Sequence, residues 1–273
     1  KIEGLGLGIL SWHGYDSVRA SLESYRAGGL LDFFDEKLLF LPEISAKGQA
    51  LGAEFGLRTA GTPRNLGILG GFQAMAEQMT SPYVLLAEND YQLIVPGEKA
   101  YAALKTARDS LAVGQAQVWR FRHLQQPGDV FDLAKHERYW PAPSGSVFQQ
   151  IVAAARRLVR PGKARRLSGF APYIYKDPEV RFSRDIQRPA AGDYLVSSRI
   201  LNWANNIFMI RRDFFLDEII PAALAHQGGR LVNGFPTIET ELNRSRWWRE
   251  KGFWIGVSNP GLFTHARQGD RGY

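Results

Sequence analysis

Ser81-Pro82-Tyr83-Val84-Leu85-Leu86-Ala87-Glu88-Asn89-Asp90 is the stretch that decides the fold. Tyr83 to Ala87 is an unbroken apolar run of strand length, preceded by Ser-Pro and followed by two carboxylates. Such a run predicts a strand covered on both faces, as in a parallel sheet. Just upstream, Leu66, Leu69, Phe72, Met75, Ala76 and Met79 recur at helical spacing and predict a helix over Leu66–Met79. Further back, Leu5–Leu10 reads as a first buried strand. A helix then begins at Asp16 or Ser17 and runs through Arg26, where Gly28-Gly29 ends it. Lys37–Leu41 reads as a second strand stopped by Pro42, and the polar stretch holding Gly48, Gly52 and Gly56 as a helix and turn. Strands alternating with helices over the first 90 residues mean parallel βαβ units. In open α/β sheets ligands bind beyond the carboxyl ends of the strands. Three polar loops fall there: Ser11–Tyr15, Glu43–Ser45 and Glu88–Asp90.

Downstream, the pattern predicts a surface helix over Pro96–Ala112, a strand over Ala116–Phe121, and a strand over Asn206–Ile210 leading into a helix over Asp213–Ala225. A helix over Thr237–Glu250 and a strand over Phe253–Val257 follow. Residues 123–195 are rich in Pro and Gly and show little periodicity. With no repeat, low-complexity tract or linker, the whole of residues 1–273 is read as one domain with an elaborated second half.

The 273 residues include no cysteine, so disulfides and thiolate metal sites are excluded and any metal must be held by carboxylates or histidine. The absence of cysteine suits a cytoplasmic enzyme. The chain begins at Lys1 rather than Met, as a processed or trimmed chain does. No run approaches the roughly 18 apolar residues of a membrane span; the best, Ile207–Leu224, is broken by Arg211, Arg212, Asp213, Asp217 and Glu218. The net charge of +7 is divided unevenly. Residues 1–110 hold 10 Lys/Arg and 13 Asp/Glu, whereas residues 111–273 hold 24 and 14. A mildly acidic half and a strongly basic half suit a two-sided protein better than a uniform cationic coat.

Glu88-x-Asp90, at i and i+2 past a strand end, can present oxygens to a divalent cation. Taken alone the tripeptide reads equally as an acidic turn. In context it carries more. Arg64-Asn65-Leu66-Gly67-x-x-x-Gly71, the small-residue helix with Ala74 and Ala76, and then the strand ending in Glu88-Asn89-Asp90 resemble the GT-A glycosyltransferases of the family 2 type. That resemblance implies an α/β fold of GT-A (Rossmann-like) type: a mostly parallel sheet, flanking helices and an elaborated C-terminal acceptor-side half. On it, residues 1–115 are the donor half and 116–273 the acceptor half. Glu88 and Asp90 take the positions of the family's Asp-x-Asp motif, which implies Mn2+ or Mg2+ as cofactor. Ile9-Leu10-Ser11-Trp12-His13 matches the first strand and loop, and Pro42-Glu43-Ile44-Ser45 lies where the family places a base-contacting Asp-Asp-Gly-Ser. The implied nucleotide-binding set is therefore Trp12, His13, Tyr15, Glu43, Asn65, Gly67 and Asn89. Trp12 or Tyr15 is either a stacking platform for a uracil ring or packing at the sheet edge.

Further along, Trp203 to Phe214 resembles the segment lining the family's acceptor side. Phe235-Pro236-Thr237-Ile238-Glu239-Thr240-Glu241-Leu242, then Lys251-Gly252-Phe253-Trp254-Ile255 and finally His265, resemble its acidic motif, Gly-aromatic strand and terminal His. Counting back from Gly252 implies Glu241 as the general base, with Glu239 the alternative, and His265 as a further metal ligand. The activity implied is metal-dependent, inverting transfer of a sugar from a nucleotide-diphosphate sugar, a UDP-sugar foremost, to a glycan or other hydroxyl acceptor.

The basic run Arg156, Arg157, Arg160, Lys163, Arg165 and Arg166 fits an anionic or lipid-linked acceptor, a peripheral membrane contact, or simply a solvated surface. No aromatic interleaving accompanies it, which argues against a nucleic-acid groove. The competing readings are a sugar nucleotidyltransferase, disfavoured because Ser11-Trp12-His13-Gly14-Tyr15 lacks the Gly and Lys content that cradles a triphosphate, and a non-catalytic basic glycan- or nucleic-acid-binding module.

Overall fold

The computed structural model describes residues 1–128, 133–142, 144–189, 192–226 and 228–266. Its frame is a nine-stranded sheet built from β1 (Leu5–Leu10), β2 (Glu36–Pro42), β3 (Arg58–Thr62), β4 (Tyr83–Glu88), β6 (Val118–Arg120), β7 (Ile186–Gln187), β8 (Tyr194–Ser197), β9 (Phe208–Arg211) and β10 (Trp254–Val257). Two further strands, β5 (Tyr91–Leu93) and β11 (Phe263–His265), pair antiparallel as a separate ribbon. The order is β3-β2-β1-β4-β9-β6-β10-β8-β7. β3, β2, β1 and β4 are parallel. β9 runs antiparallel between β4 and β6, and β8 antiparallel between β10 and β7, so the other seven strands point one way. The sheet is thus mostly parallel with helices on both faces, as the resemblance implies.

Alternation along the central strands explains the two-sided burial. Leu39 and Leu41 of β2 and Leu85 and Ala87 of β4 face one core, against Val18, Leu22 and Tyr25 of α1 (Tyr15–Ala27). Leu38, Phe40, Val84 and Leu86 face the other, against Leu69, Phe72 and Met75 of α3 (Gly67–Glu77), which follows α2 (Ala46–Glu54) in the chain. The Leu-Gly-Leu-Gly-Ile-Leu sequence of β1 has a packing reason. A Cβ on Gly6 would lie 2.7 Å from Met79 Cε, and one on Gly8 3.0 Å from Met79 Sδ. The glycines let the chain leaving α3 settle onto the strand at close range.

The sequence-predicted strands at 5–10, 37–41, 83–87, 116–121, 206–210 and 253–257 all form, within a residue or two at their ends. Three expectations change. The stretch after Gly48 holds α2 and also the edge strand β3, whose Arg-Thr-Ala-Gly-Thr carries no apolar signal. The helix read over Thr237–Glu250 is two, Ile238–Arg244 and Trp247–Lys251, parted where Ser245 becomes extended. The helix read over Asp213–Ala225 widens into a π turn at Phe215–Ile219, directly before Pro221, which has no N–H to give to a regular ladder. Residues 123–195, where no periodicity is visible, hold the helices Val147–Val159 and Pro161–Ser168 and the strands β7 and β8.

Candidate functional site

β1, β2, β3 and β4 all end at the same edge, so the loops after them converge. After β1, Trp12 Nε1 donates to Glu43 Oε2 at 2.9 Å, and His13 Nε2 lies 3.0 Å from the same oxygen. The hydrogen bonds from Trp12 and His13, helped by a backbone N–H bond from Asn65, hold the Glu43 carboxyl below the ordinary glutamate range. His13 (φ 58°) and Glu43 (φ 60°) are both left-handed, and Asn233 (φ 51°) is the only other such non-glycine among the described residues. Two non-glycine residues held in this conformation and bonded to each other mark an over-determined loop pair of the kind found at ligand sites. Tyr15 is committed elsewhere. Its hydroxyl bonds Ser45 Oγ at 2.5 Å, and Ser45 caps α2 by accepting from the Gly48 amide. Of the two candidate platforms, Trp12 is the one bonded to Glu43.

Asn65 Oδ1 accepts from the Gly67 amide at 2.8 Å, a turn that starts α3. Gly67 adopts φ +68°, and a Cβ there would sit 2.3 Å from Phe235 Cβ. Phe235 closes a two-residue hairpin on Val232 across Asn233-Gly234, and this hairpin packs directly on Gly67. Gly67→Ala is expected to lower stability by about 1–3 kcal/mol, from left-handed strain plus displacement of Phe235, read by chemical denaturation.

Asn89 joins the first loop to the end of β4. Its Nδ2 donates to the Gly14 carbonyl at 3.3 Å and its own carbonyl accepts from Ser21 Oγ at 2.9 Å. A Cβ on Gly14 would stand 2.0 Å from Asn89 Nδ2, which explains the glycine. The Asn89 side chain thus braces the turn on which Glu88 and Asp90 sit.

Asp90 and His265 are brought together by the β5–β11 ribbon, which pairs Tyr91 with His265 and lets Ala266 N donate to the Asp90 carbonyl. His265 Nε2 lies 2.8 Å from Asp90 Oδ2, and the imidazole stacks on Tyr91 with centroids 4.7 Å apart. The Tyr91 hydroxyl donates to Asn206 Oδ1 at 2.6 Å. Among the described residues Asp90 Oδ1 is buried without a hydrogen-bond partner. A carboxylate with one orphaned oxygen beside an imidazole is a fitting pair of ligands for a divalent cation, and the nitrogen favours Mn2+ over Mg2+. Among the described residues no group of three or more His, Asp or Glu side chains is gathered closely enough to hold an ion. Further ligands would have to come from substrate oxygens and water.

Glu88, Tyr91 and His265 open onto a cavity of about 1180 Å3, whose far wall holds Glu239, Asn243 and Arg244. Arg120 and Arg122, at the carboxyl end of β6, line it as well, as does Arg166. Arg120 is buried; it donates through Nη2 to the Asn202 carbonyl, while its Nε has no partner. Desolvation pushes its guanidinium below the ordinary arginine value, and the charges of Tyr173 and Glu239 oppose that. Arg122 Nε donates to the Pro127 carbonyl at 2.7 Å. Neither arginine was singled out by the sequence; the signal available was Arg120 within an otherwise apolar strand, a charge that has to face something.

The two carboxylates of the 239–241 motif separate. Glu239 lies near the start of its helix, where its exposed side chain lines the cavity. Partial desolvation there raises its pKa above an ordinary glutamate's, against the lowering effects of Arg120 and of a backbone hydrogen bond from Asn205. Glu241 is fully buried on the other side, where the Gly229 amide donates to its Oε1 and Oε2 at 3.1 and 3.2 Å. Of the predicted residues, then, Glu88, His265 and Glu239 share the cavity, with Asp90 directly behind His265. Trp12, His13, Glu43 and Asn65 form the adjoining loop cluster, and Tyr15, Gly67, Asn89 and Glu241 act as supports.

No protein-family model matches the chain, and no curated protein matches its sequence. Solved structures do. The S. aureus TarS 1-349 structure in complex with UDP-GlcNAc aligns with 98% of this chain and 59% of its own length, at TM-score 0.52 and 10% identity. S. aureus TarS 1-349 without that ligand aligns over 96% and 60%, at 0.51 and 11%. The longer S. aureus TarS structure aligns over 96% and 36%, at 0.51 and 10%. The chain therefore spans about three-fifths of the TarS 1-349 fragment and little over a third of the longer protein. At these identities the likeness is one of fold, and that fold is the GT-A type.

Proposed function

We propose that this GT-A-fold chain is a glycosyltransferase that moves a sugar from a nucleoside-diphosphate sugar to an acceptor hydroxyl. The observation that carries the reading is the convergence of Glu88, His265 and Glu239 on one cavity, with Asp90 hydrogen-bonded to His265 and the Trp12–Glu43–Asn65 cluster at the same carboxyl edge of the sheet. Support comes from S. aureus TarS 1-349, a protein of the same fold whose structure is solved in complex with UDP-GlcNAc.

In this reading residues 1–115 are the donor half. Glu43, fixed by Trp12 and His13, accepts hydrogen bonds from the nucleoside, and the half-exposed Trp12 indole offers a face for the base. Glu88, the first carboxylate of the proposed metal-binding motif, lines the same cavity. Asp90 and His265 are the residues that would hold a divalent cation, whose chemistry there is to offset the charge of the diphosphate leaving group. Arg120 and Arg122 add fixed positive charge to the same wall.

Glu239 is the general base. An acceptor hydroxyl is a weak nucleophile, and a carboxylate of raised pKa facing the cavity takes its proton during attack on the anomeric carbon. Attack from the face opposite the diphosphate inverts the anomeric configuration. Residues 116–273 form the acceptor half. Their positive charge, with Arg166 and Arg244 at the cavity, suits an acceptor that carries phosphate or carboxylate groups or a lipid-linked glycan.

The direct test is release of nucleoside diphosphate from a panel of UDP-, GDP- and TDP-sugars with Mn2+, in the presence of anionic and neutral glycan acceptors. Release that depends on one donor and is raised by an anionic acceptor is expected; no release from any donor would overturn the reading. Glu43→Ala removes the anchor of both first loops and is expected to weaken nucleoside-diphosphate affinity about tenfold, since the loops must then be ordered by the ligand; isothermal titration reads this.

A further inference from the structure

We propose that the hairpin of helices Val147–Val159 and Pro161–Ser168 is a docking element for an anionic lipid bilayer. This goes beyond the reading of glycosyl transfer and does not rest on it.

A helix on the surface of a folded protein ordinarily turns its apolar side inward. Val147–Val159 does the opposite. Val147, Phe148, Ile151, Leu158 and Val159 are 62–83% exposed, and they make up five of the eleven exposed large hydrophobic residues among the described ones. At 100° per residue they fall, with exposed Ala155 between them, on one face of the helix. The side turned to the protein mixes buried Ala153 and half-buried Val152 with polar residues. Arg157 donates to the Tyr139 carbonyl and lies over the Trp140 ring, Arg156 donates to the Arg138 carbonyl, and Gln150 donates to the Ala142 carbonyl. Only Ala153 is buried on this helix. The helix is also built to be stable where it stands, with Ser146 and Gln149 forming a reciprocal capping box.

Charge selects the occupant. Residues 138–176 contain eight Lys or Arg and no Asp or Glu, and Arg160, Lys163, Arg165 and Arg166 follow the apolar face directly. An outward apolar stripe with phenylalanine and leucine, bordered by a basic cluster, is the physical description of an interfacial helix on anionic lipid. A second copy of the chain is disfavoured as the occupant, because a two-fold contact would set these unbalanced positive segments against each other. Among the described residues no helix is long and apolar enough to cross a membrane, so the contact is with the surface. Arg166 lines the large cavity, so a docked hairpin brings the cavity close to the lipid headgroups.

Vesicle flotation with the whole chain tests this, comparing phosphatidylcholine alone with phosphatidylcholine mixed with phosphatidylglycerol. Binding to the anionic vesicles only, falling as salt is raised, is expected. Combined Phe148→Ser, Ile151→Ser and Leu158→Ser should cut vesicle binding on the order of tenfold or more while leaving the thermal unfolding curve in place, because all three side chains are exposed in the folded chain. Arg160→Glu with Lys163→Glu should cut it similarly at low salt. Absence of binding to anionic vesicles overturns the proposal. So does binding indifferent to the serine substitutions, and so does a wild-type dimer that those substitutions dissociate without any vesicle binding.

Discussion

Replacing Glu239 by Gln is expected to slow sugar transfer by about 10²–10⁴-fold while leaving nucleoside-diphosphate binding within a factor of a few. The substitution keeps the shape of the side chain and removes its ability to take a proton. Its site is cavity-facing and close enough to Arg120 for that charge to bear on its titration. Glu241→Gln is expected to behave in the opposite way. That carboxylate is buried on the Gly229 amide, so its amide replacement keeps one acceptor for that N–H but buries an NH2 group where a carboxylate oxygen stood. The cost is about 1–3 kcal/mol of stability, read by denaturant unfolding, with turnover of the folded fraction largely kept. The pH profile adds an independent check. Desolvation raises the Glu239 pKa, so the carboxyl is protonated and inactive at pH values where an ordinary glutamate is already ionised. The acid limb of kcat/KM is therefore shifted upward relative to that of an ordinary glutamate, with activity rising as pH rises through it, and Glu239→Gln abolishes that limb.

The second large effect is at Asp90. Asp90→Asn is expected to lower Mn2+-dependent affinity for a nucleoside diphosphate by at least about tenfold, and His265→Ala to do so less severely. Among the described residues Asp90 Oδ1 is buried with no partner and Oδ2 abuts the imidazole, which leaves an oxygen free to meet a cation in the proposed reading. The two variants also differ in what they do without metal. Asn at 90 removes a buried negative charge. Ala at 265 deletes the ring that stacks on Tyr91, and is expected to lower the thermal midpoint as well. Equal nucleotide affinity with and without Mn2+ in the wild type would remove Asp90 and His265 from a metal-binding role.

Much of the frame was legible because the central strands announce themselves. Tyr83–Ala87 and Lys37–Leu41 are covered on both faces, so nearly every position is apolar and the run is visible without periodicity. β3 was not, since an edge strand of Arg-Thr-Ala-Gly-Thr needs no apolar residues. The three-residue strands β5 and β11 were also invisible, yet their pairing is what sets His265 against Asp90. That juxtaposition was reached only through the order of motifs in a resemblance. The choice between Glu239 and Glu241 turned on two residues of helical phase. At i and i+2 the two side chains point about 200° apart, so one faces the cavity and the other the core. Spacing from Gly252 could not decide it, because the helix breaks at Ser245 between them. The outward apolar face of Val147–Val159 has period but the wrong direction, and sequence alone cannot tell which side of an amphipathic helix meets the protein.

The central claim is that the carboxyl edge of β1–β4 receives a nucleoside diphosphate with a divalent cation. Thermal unfolding of the whole chain with UDP, GDP, ADP and TDP, each with and without Mn2+, tests it most directly, because a ligand that binds only the folded state raises the Tm as its concentration exceeds Kd. A rise with one of the nucleotides that grows with Mn2+, and that is lost in Asp90→Asn and retained in Glu239→Gln, is the result expected. No rise with any nucleoside diphosphate, even with the metal present, would contradict it.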